Sequence, residues 1–445
     1  MKKTNVYIET LGCQMNVADT ERAATGLREA GYCLSADAET ADVVIFNTCS
    51  IRERAAHKVF TRIGEVRKAR FGHEPLLGVM GCVAQLEGEA LFDQIPKLSF
   101  VAGTRATDRL PSLIARAQDG EKGAIDLGER AKEESWAVSQ HARHSAHVAF
   151  VPIIEGCNKF CSYCIVPFSR GREKSRAAVE ILSEVVKLRD QGFHEIHLIG
   201  QNVNSYRPAS PEGLEFSKGA TPFSRLLRAV AATGIERIKF ATSFPRDFHS
   251  DIVSAIEEHE NLCNWVHLPV QSGSDRVLRL MRRGHKIKEY LQQVELIKAS
   301  RKGFSLTSDI IVGFPGETEA EFKETISLVE QCQYDGLYIF KYSIRSDTPA
   351  AKLPDNLPEE LKTERLLSLE AVQQLQQRQV YHQYINRTLE VLVEGESAKS
   401  KEDMTGHSTC HKVVNFPCKP DLIGQVVRVR ITQAKVNSLY GVLAC

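Results

Sequence analysis

Between Val148 and Tyr342 the chain repeats one pattern six times, a short β-type run followed by a helical one. The runs are Val148 to Ile154, Ile196 to Gly200, Arg237 to Ala241, Trp265 to Val270, Thr307 to Val312 and Gly336 to Tyr342. Helical patterns lie between them, for example Ala178 to Gln191, Phe223 to Ala232, Ile287 to Ser300 and Glu319 to Gln331. Serial β/α units with right-handed crossovers curl into a barrel or part of one, so six units predict a three-quarter barrel. Chemistry in barrels gathers at the C-terminal strand ends. Here those ends carry Glu155-Gly156-Cys157, Gly200-Gln201-Asn202, Thr242-Ser243-Phe244-Pro245, Gln271-Ser272-Gly273-Ser274 and Gly313-Phe314-Pro315-Gly316-Glu317. Their recurrence at matching positions predicts one shared site.

The first of these ends opens a C-x3-C-x2-C run, Cys157, Cys161 and Cys164. Thiolates suit iron-sulfur clusters and zinc, and a closed site of either kind takes four protein ligands. Three leave one iron of a four-iron cluster open. An open iron can chelate the amino and carboxylate groups of S-adenosylmethionine, and an electron from the cluster then cleaves the sulfonium to a 5′-deoxyadenosyl radical. The competing reading is a zinc loop with a distant fourth ligand, although zinc ligands usually come in paired C-x2-C units. Phe160, Tyr163, Ile165 and Pro167 supply an apolar collar. Tyr163 is expected near the adenine end of the cofactor, with a plain core aromatic as the alternative. Gly200, Gln201, Ser243, Gln271 and Asp309 are the other candidate cofactor contacts. The basic run Arg170, Arg172, Lys174 and Arg176 follows directly; such runs attract phosphates, which makes Arg170, Arg172 and Lys174 candidate RNA contacts.

Residues 1–118 also alternate strand and helix patterns, which predicts a Rossmann-like parallel sheet. The patterns are Val6 to Leu11, a helix from about Ala18, Val43 to Asn47, a helix from Arg52 to Arg70, and Leu76 to Gly81. Cys13, Cys49 and Cys82 fall at strand ends, where open α/β sheets bind ligands. Either they form a second three-thiolate set or they are three small buried thiols. The neighbouring Gly12 and Gly81 permit close backbone approach. Residues 119–142 read as a polar linker and 143–377 as the barrel core. The spaced His141, His144 and His147 are read as part of a solvated linker rather than as ligands. His194-Glu195-Ile196-His197 falls short of a zinc motif and reads as the start of a strand.

After a helix from Pro358 to about Tyr384, residues 378–445 change to short β patterns at Val391-Val393, Val413-Asn415, Val426–Arg430 and Leu439–Val442, a small β-barrel. Its charges lean basic through Lys399, Lys401, Lys412, Lys419, Arg428, Arg430 and Lys435. Small barrels of this type often bind oligonucleotides, which makes Arg428 and Arg430 candidate RNA contacts. The whole chain is balanced, 57 Lys and Arg against 56 Asp and Glu, so any nucleic-acid surface must be a local patch. With 42% hydrophobic and 25% charged residues the composition is that of an ordinary globular protein. No apolar run approaches the roughly 20 residues of a membrane span, and no signal-peptide core follows Met1. A cytoplasmic chain is expected, in which twelve cysteines serve as ligands sooner than as disulfides. Cys33, Cys263, Cys332, Cys410, Cys418 and Cys445 show no ligand spacing, and Cys410 with Cys418 is at most half a zinc site.

Several stretches together resemble the radical-SAM methylthiotransferases: Thr10 to Asn16, Asn47 to Glu53, Glu155 to Pro167, Leu198 to Val203, His267 to Gly273 and Asp309 to Glu317. The resemblance runs in order over almost the whole chain. It implies an auxiliary four-iron cluster on Cys13, Cys49 and Cys82, a radical-SAM cluster on Cys157, Cys161 and Cys164, and a C-terminal TRAM-like RNA-binding barrel. It further implies two S-adenosylmethionine molecules, one methylating a sulfur held on the auxiliary cluster and one yielding the radical that abstracts hydrogen from adenine C2. Gln14-Met15-Asn16 and Ser50-Ile51-Arg52-Glu53 follow the branch acting on isopentenyladenosine beside the tRNA anticodon. Val17-Ala18-Asp19 departs slightly from its commonest version, and contacts made by the longer tail of some relatives are not expected beyond Cys445. Expected partners are that tRNA, a flavodoxin- or ferredoxin-like electron donor and a sulfur source, for a monomeric enzyme. The alternatives are methylthiolation of a ribosomal-protein aspartate or of threonylcarbamoyl-adenosine in tRNA, and, in another class, an RNA-binding iron-sulfur redox sensor.

Overall fold

The computed structural model describes residues 4–50, 53–69, 74–129, 136–417 and 419–444. Ile51 and Arg52 of the Ser50–Glu53 motif, and Cys418 and Cys445, lie outside the described residues. The chain divides into two compact units, one of Met1–Ser145, Glu155–Asn158 and Ile165–Glu173, the other of Ala146–Ile154, Lys159–Cys164 and Lys174–Cys445.

The first unit is built on a six-stranded parallel sheet: β1 (Asn5–Leu11), β2 (Cys33–Leu34), β3 (Val43–Thr48), β4 (Leu76–Gly81), β5 (Phe100–Ala102) and β6 (Ala124–Asp126), in the order β2-β1-β3-β4-β5-β6. A parallel sheet must be covered on both faces, and β3 shows why this one can be. Its six residues Val-Val-Ile-Phe-Asn-Thr are all buried. With a side-chain period of two, Val43 and Ile45 join Leu27, Leu110 and Leu113 in one core, while Val44 and Phe46 join Val59, Ile63 and Val66 in the other. Helix α1 (Gln14–Glu29) covers the first face and α2 (Glu53–Ala69) the second. The expected linker 119–142 is partly structural, because Ala124–Asp126 pairs in register with Phe100–Ala102. Further along, Arg143 and His144 both pair with the buried Glu21 of α1, at 3.0 and 2.7 Å.

In the second unit all six expected strands form: β7 (Val148–Pro152), β8 (Glu195–Ile199), β9 (Arg237–Phe240), β10 (Trp265–His267), β11 (Ser305–Val312) and β12 (Gly336–Lys341). They make two parallel three-stranded sheets, β9-β8-β7 and β10-β11-β12, joined through an Ile238–Leu262 bridge and the Ser243 N–H donating to the His267 carbonyl at 3.0 Å. Strand β10 stops short of the expected Val270 because Pro269 has no N–H to give the ladder. The Ser308 hydroxyl takes the Val270 N–H instead, and pairing resumes at Gln271 opposite Ile310. Outward-facing residues pack with the helices in one large core containing Val151, Ile196, Ile238, Val266 and Ile310.

The lumen is not aliphatic. Glu195 accepts from Arg237 at 2.8 Å and Lys239 at 3.0 Å and pairs with His197 at 2.6 Å, all four buried. Burial opposes ionisation, but Lys239, His197 and Arg237 together hold the Glu195 carboxyl well below the usual range. Glu195 to His197 thus begins a strand, as the pattern suggested, and its Glu195 also anchors a buried charge cluster.

Five antiparallel and parallel strands close the C-terminal barrel: β13 (Thr388–Ser397), β14 (Ser400–Ser408), β15 (Val413–Pro417), β16 (Val426–Ala434) and β17 (Leu439–Leu443). Strand β14 escaped the sequence reading because only Met404, Gly406 and Ser408 of Ser-Lys-Glu-Asp-Met-Thr-Gly-His-Ser are buried. The end of this strand and the turn after it seat against the first residues of β9 to β11. Arg237 donates to the His407 carbonyl at 2.9 Å, His411 stacks on Trp265 at 4.0 Å, and Lys412 reaches Ser305 at 2.8 Å and Asp335 at 2.6 Å. Lys412 therefore leaves the set of exposed basic residues; it is 1% exposed. Its replacement by Ala should cost about 3–5 kcal/mol, since one partner of a buried ion pair is left uncompensated. Urea unfolding of the variant, with Lys401→Ala as the exposed control, measures this.

Candidate active site

The register of the first sheet brings Cys13, Cys49 and Cys82 to one edge. Leu11 pairs with Thr48 and Thr48 with Gly81, so the three cysteines follow a level line by one or two residues. In a sheet of order 2-1-3-4-5 the chain reverses direction of travel between β1 and β3, and ligands bind outside the strand ends at that switch point. Cys13 and Cys49 flank it. The Cys49 N–H donates to the Leu11 carbonyl at 3.2 Å. Helix α1 starts earlier than its apolar pattern indicates, at Gln14, which makes Cys13 its N-cap. Cys82 is the first residue of α3 (Cys82–Glu87).

Two asparagines fix this edge. Asn16 Nδ2 donates to Asn47 Oδ1 at 3.0 Å and to the Thr48 carbonyl at 3.1 Å, and Asn47 Nδ2 returns a bond to the Asn16 carbonyl at 2.8 Å. Asn16 Oδ1 accepts from the Cys13 N–H at 3.2 Å and faces its Sγ at 3.3 Å. A Cβ on Gly12 would strike the Asn16 side chain, and one on Gly81, whose φ is +94°, would strike Asn47. The two glycines are needed for this lock. A hydrogen bond from Cys49, aided by Arg170 and the Asn16 and Met15 backbone, pulls the Cys13 thiol down to about 5 against the effect of burial. Burial raises the Cys82 thiol, with Arg170 opposing. Thiolates are what a cluster binds. Among the described residues no three His, Cys, Asp or Glu side chains converge on a single metal ion. A four-iron cluster takes its cysteines on separate irons, so the three-thiol set fits it.

The same unit contains Cys157, whose N–H donates to the Gly171 carbonyl at 3.1 Å. Gly156 has φ +77°, and a Cβ there would press on the Arg172 carbonyl. Thr104 Oγ1 bonds the Ser169 carbonyl and Arg105 Nη2 the Arg170 carbonyl, both at 2.7 Å. Arg170 does not face solvent. It is 3% exposed, with Nη2 on Asp19 at 2.7 Å, which removes it from the candidate phosphate contacts. Arg172 and Lys174 are exposed, whereas Arg176 is buried against Glu184 and the Pro152 carbonyl.

In the second unit the Cys164 N–H donates to the Cys161 carbonyl at 3.0 Å, and Ser162 is tied to Met281 and Leu280. Phe160 adopts φ +49°, a left-handed conformation uncommon for a bulky residue and associated with functional loops. Tyr163 packs against Val277, Met281, Phe314 and Tyr342. Burial raises its phenol, with Arg283, Cys161, Cys164 and Asp309 acting on it as neighbouring charges. Asp309 lies 3.4 Å from His267, and its carbonyl accepts the Gln271 N–H at 2.9 Å. Gly200 has no room for a side chain beside Ile154. Gln201 Oε1 and Ser243 Oγ are buried without a hydrogen-bond partner, polar groups available to a ligand at the strand ends. The sequence reading missed Arg283. Its Nη1 reaches Cys161 Sγ at 3.6 Å and its guanidinium lies 4.5 Å over Phe244. No motif marks it, since it sits in an ordinary-looking Met-Arg-Arg-Gly turn.

The ten described cysteines form no disulfide with one another. Cys263 and Cys332 are buried, with thiols raised by burial, as packed residues are. In the C-terminal barrel Arg428 and Arg430 are exposed, in register with Glu390 and Thr388. No described helix is long and apolar enough to cross a membrane.

Uncharacterized protein family UPF0004 matches residues 5–103, the radical SAM superfamily 151–329 and the TRAM domain 382–444. The tRNA-2-methylthio-N(6)-dimethylallyladenosine synthase of Koribacter versatilis is 43% identical, covering 98% of this chain and 97% of its own. The enzyme of that name from Alkalilimnicola ehrlichii is 42% identical over the same shares. Among solved structures, the radical S-adenosylmethionine methyltransferase TsrM of Kitasatospora setae aligns with a TM-score of 0.57 at 14% identity, covering 79% of this chain and 77% of its own, a likeness of fold. The chain belongs to the radical-SAM methylthiotransferases, in the family of the tRNA-2-methylthio-N(6)-dimethylallyladenosine synthases.

Proposed function

We propose that this chain transfers a methylthio group to C2 of N6-isopentenyladenosine next to the anticodon in tRNA, consuming two S-adenosylmethionine molecules. One observation carries the reading: the level alignment of Cys13, Cys49 and Cys82 at the switch point of a sheet, in a chain that also carries the Cys157, Cys161 and Cys164 motif. Each set is one ligand short of closing a four-iron cluster. When bound, the clusters supply low-potential electrons and open coordination sites, one for S-adenosylmethionine and one for sulfur.

The chain's own residues hold and orient these partners. Asn16 and Asn47 fix the Cys13 thiolate, and Arg283 sets a positive charge beside Cys161. Gln201 Oε1 and Ser243 Oγ offer hydrogen bonds to the polar groups of S-adenosylmethionine, with Tyr163, Gly200, Gln271 and Asp309 completing the contact set. Arg172, Lys174, Arg428 and Arg430 are exposed cations for tRNA phosphates. The electron donor in this proposal is of flavodoxin or ferredoxin type, the sulfur comes from a separate source, and the protein works as a cytoplasmic monomer. Its domains are 1–118, 143–377 and 378–445, with 119–142 connecting the first two.

Anaerobically reconstituted wild type should hold about eight irons and Cys157→Ala about four. Digests of tRNA incubated with that variant should contain no methylthio product by mass spectrometry. Full iron in Cys157→Ala would overturn the ligand assignment, and product in ribosomal protein instead of tRNA would overturn the substrate. The Cys13→Ala variant should still cleave S-adenosylmethionine reductively while making no methylthioadenosine. Replacing Arg428 and Arg430 together by Ala should weaken tRNA binding and lower the slope of log affinity against log salt by about two, one per lost phosphate contact. Filter binding across a salt series reads this directly.

A further inference from the structure

Arg170 is the buried cation that the reaction scheme leaves without a task. It follows Cys164 by six residues in the sequence, yet within the first unit it lies among residues of the three-cysteine edge. It closes the short helix Val166–Arg170, which packs on α3, whose first residue is Cys82, and its partner Asp19 lies on α1, whose N-cap is Cys13. Nη2 is on Asp19 at 2.7 Å; Nη1 is buried and makes no hydrogen bond, with the Glu155 carboxylate 3.7 Å away. The backbone around it is pinned by Thr104 on the Ser169 carbonyl and Arg105 on its own carbonyl, so the guanidinium does not swing freely to solvent. Burying an arginine with one N–H group unspent costs free energy. An anion in the same pocket offsets that cost, and a cluster ligated by three thiolates is such an anion.

We propose that Arg170 is a positioning residue whose fixed charge beside the Cys13, Cys49 and Cys82 centre sets the reduction potential of the auxiliary cluster. This rests on the assignment of a cluster to those cysteines. Cluster potentials respond to nearby charge and to hydrogen bonds at the sulfurs. Removing a buried positive charge disfavours the more negative, reduced state.

The test uses the full chain with Cys157, Cys161 and Cys164 replaced by Ala, so that one cluster alone gives the spectrum, and reads its midpoint potential by redox titration with electron paramagnetic resonance. In that background Arg170→Gln should shift the midpoint to more negative values, and Arg170→Lys should restore most of the parental value. Asp19→Asn, which removes the opposing carboxylate, should shift the midpoint to more positive values; it decides the matter alone if Arg170→Gln fails to load iron. Parental midpoints in both Arg170→Gln and Asp19→Asn would overturn the proposal. A shift in Arg170→Lys as large as in Arg170→Gln would do so too, because it would show a role in shape and not in charge. No cluster in the parent background would overturn the cluster assignment itself, and with it this proposal.

Discussion

The parallel register of β1, β3 and β4 is the constraint on which the candidate chemistry depends. Cys13, Cys49 and Cys82 are 36 and 33 residues apart in sequence, and nothing local relates them. They share an edge because Leu11, Thr48 and Gly81 share a level in the ladder. A slip of one residue would turn each side chain to the opposite face. The register is held by the fully buried strand β3, with a core on either face, and at its end by the reciprocal Asn16–Asn47 bonds. A polar lock of this kind is buried and fully paired, the condition under which such networks specify a unique arrangement.

The second unit uses buried charge differently. The lumen of its partial barrel holds Glu195 with Arg237, Lys239 and His197, and Lys412 with Asp335 anchors the C-terminal barrel to the starts of the strands. Chemistry in such barrels occupies the opposite, C-terminal ends, where Gln201, Ser243 and Gln271 lie. Burying ion pairs contributes little net stability, but breaking one is costly. The charges in the lumen therefore enforce one seating of the C-terminal barrel more than they strengthen it.

Much of this was legible in the residues. The six β/α units, the short C-x3-C-x2-C spacing of Cys157 to Cys164 and the glycines beside Cys13 and Cys82 each follow from local pattern, because period, turn and ligand spacing are local properties. Charged residues were harder to place. Arg170 and Lys412 look like members of solvated basic runs, yet both are buried against carboxylates supplied from 151 and 77 residues away. Strand β14 and the edge strand Ala124–Asp126 were invisible for the converse reason: so few of their side chains are buried and apolar that their alternation carries no signal, and pairing with a neighbour alone makes them strands.

By itself, then, the sequence determined the chemical inventory: two sets of three thiols, a barrel of serial units, and a small basic barrel. Those depend on residue type and short-range periodicity. Only the tertiary structure decided that Asn16 and Asn47 clasp the edge that carries Cys13, that Arg283 faces Cys161, and that Arg170 is buried against Asp19. The physical reason is that a charge acquires its role from the partners that burial brings to it, and those partners come from distant parts of the chain.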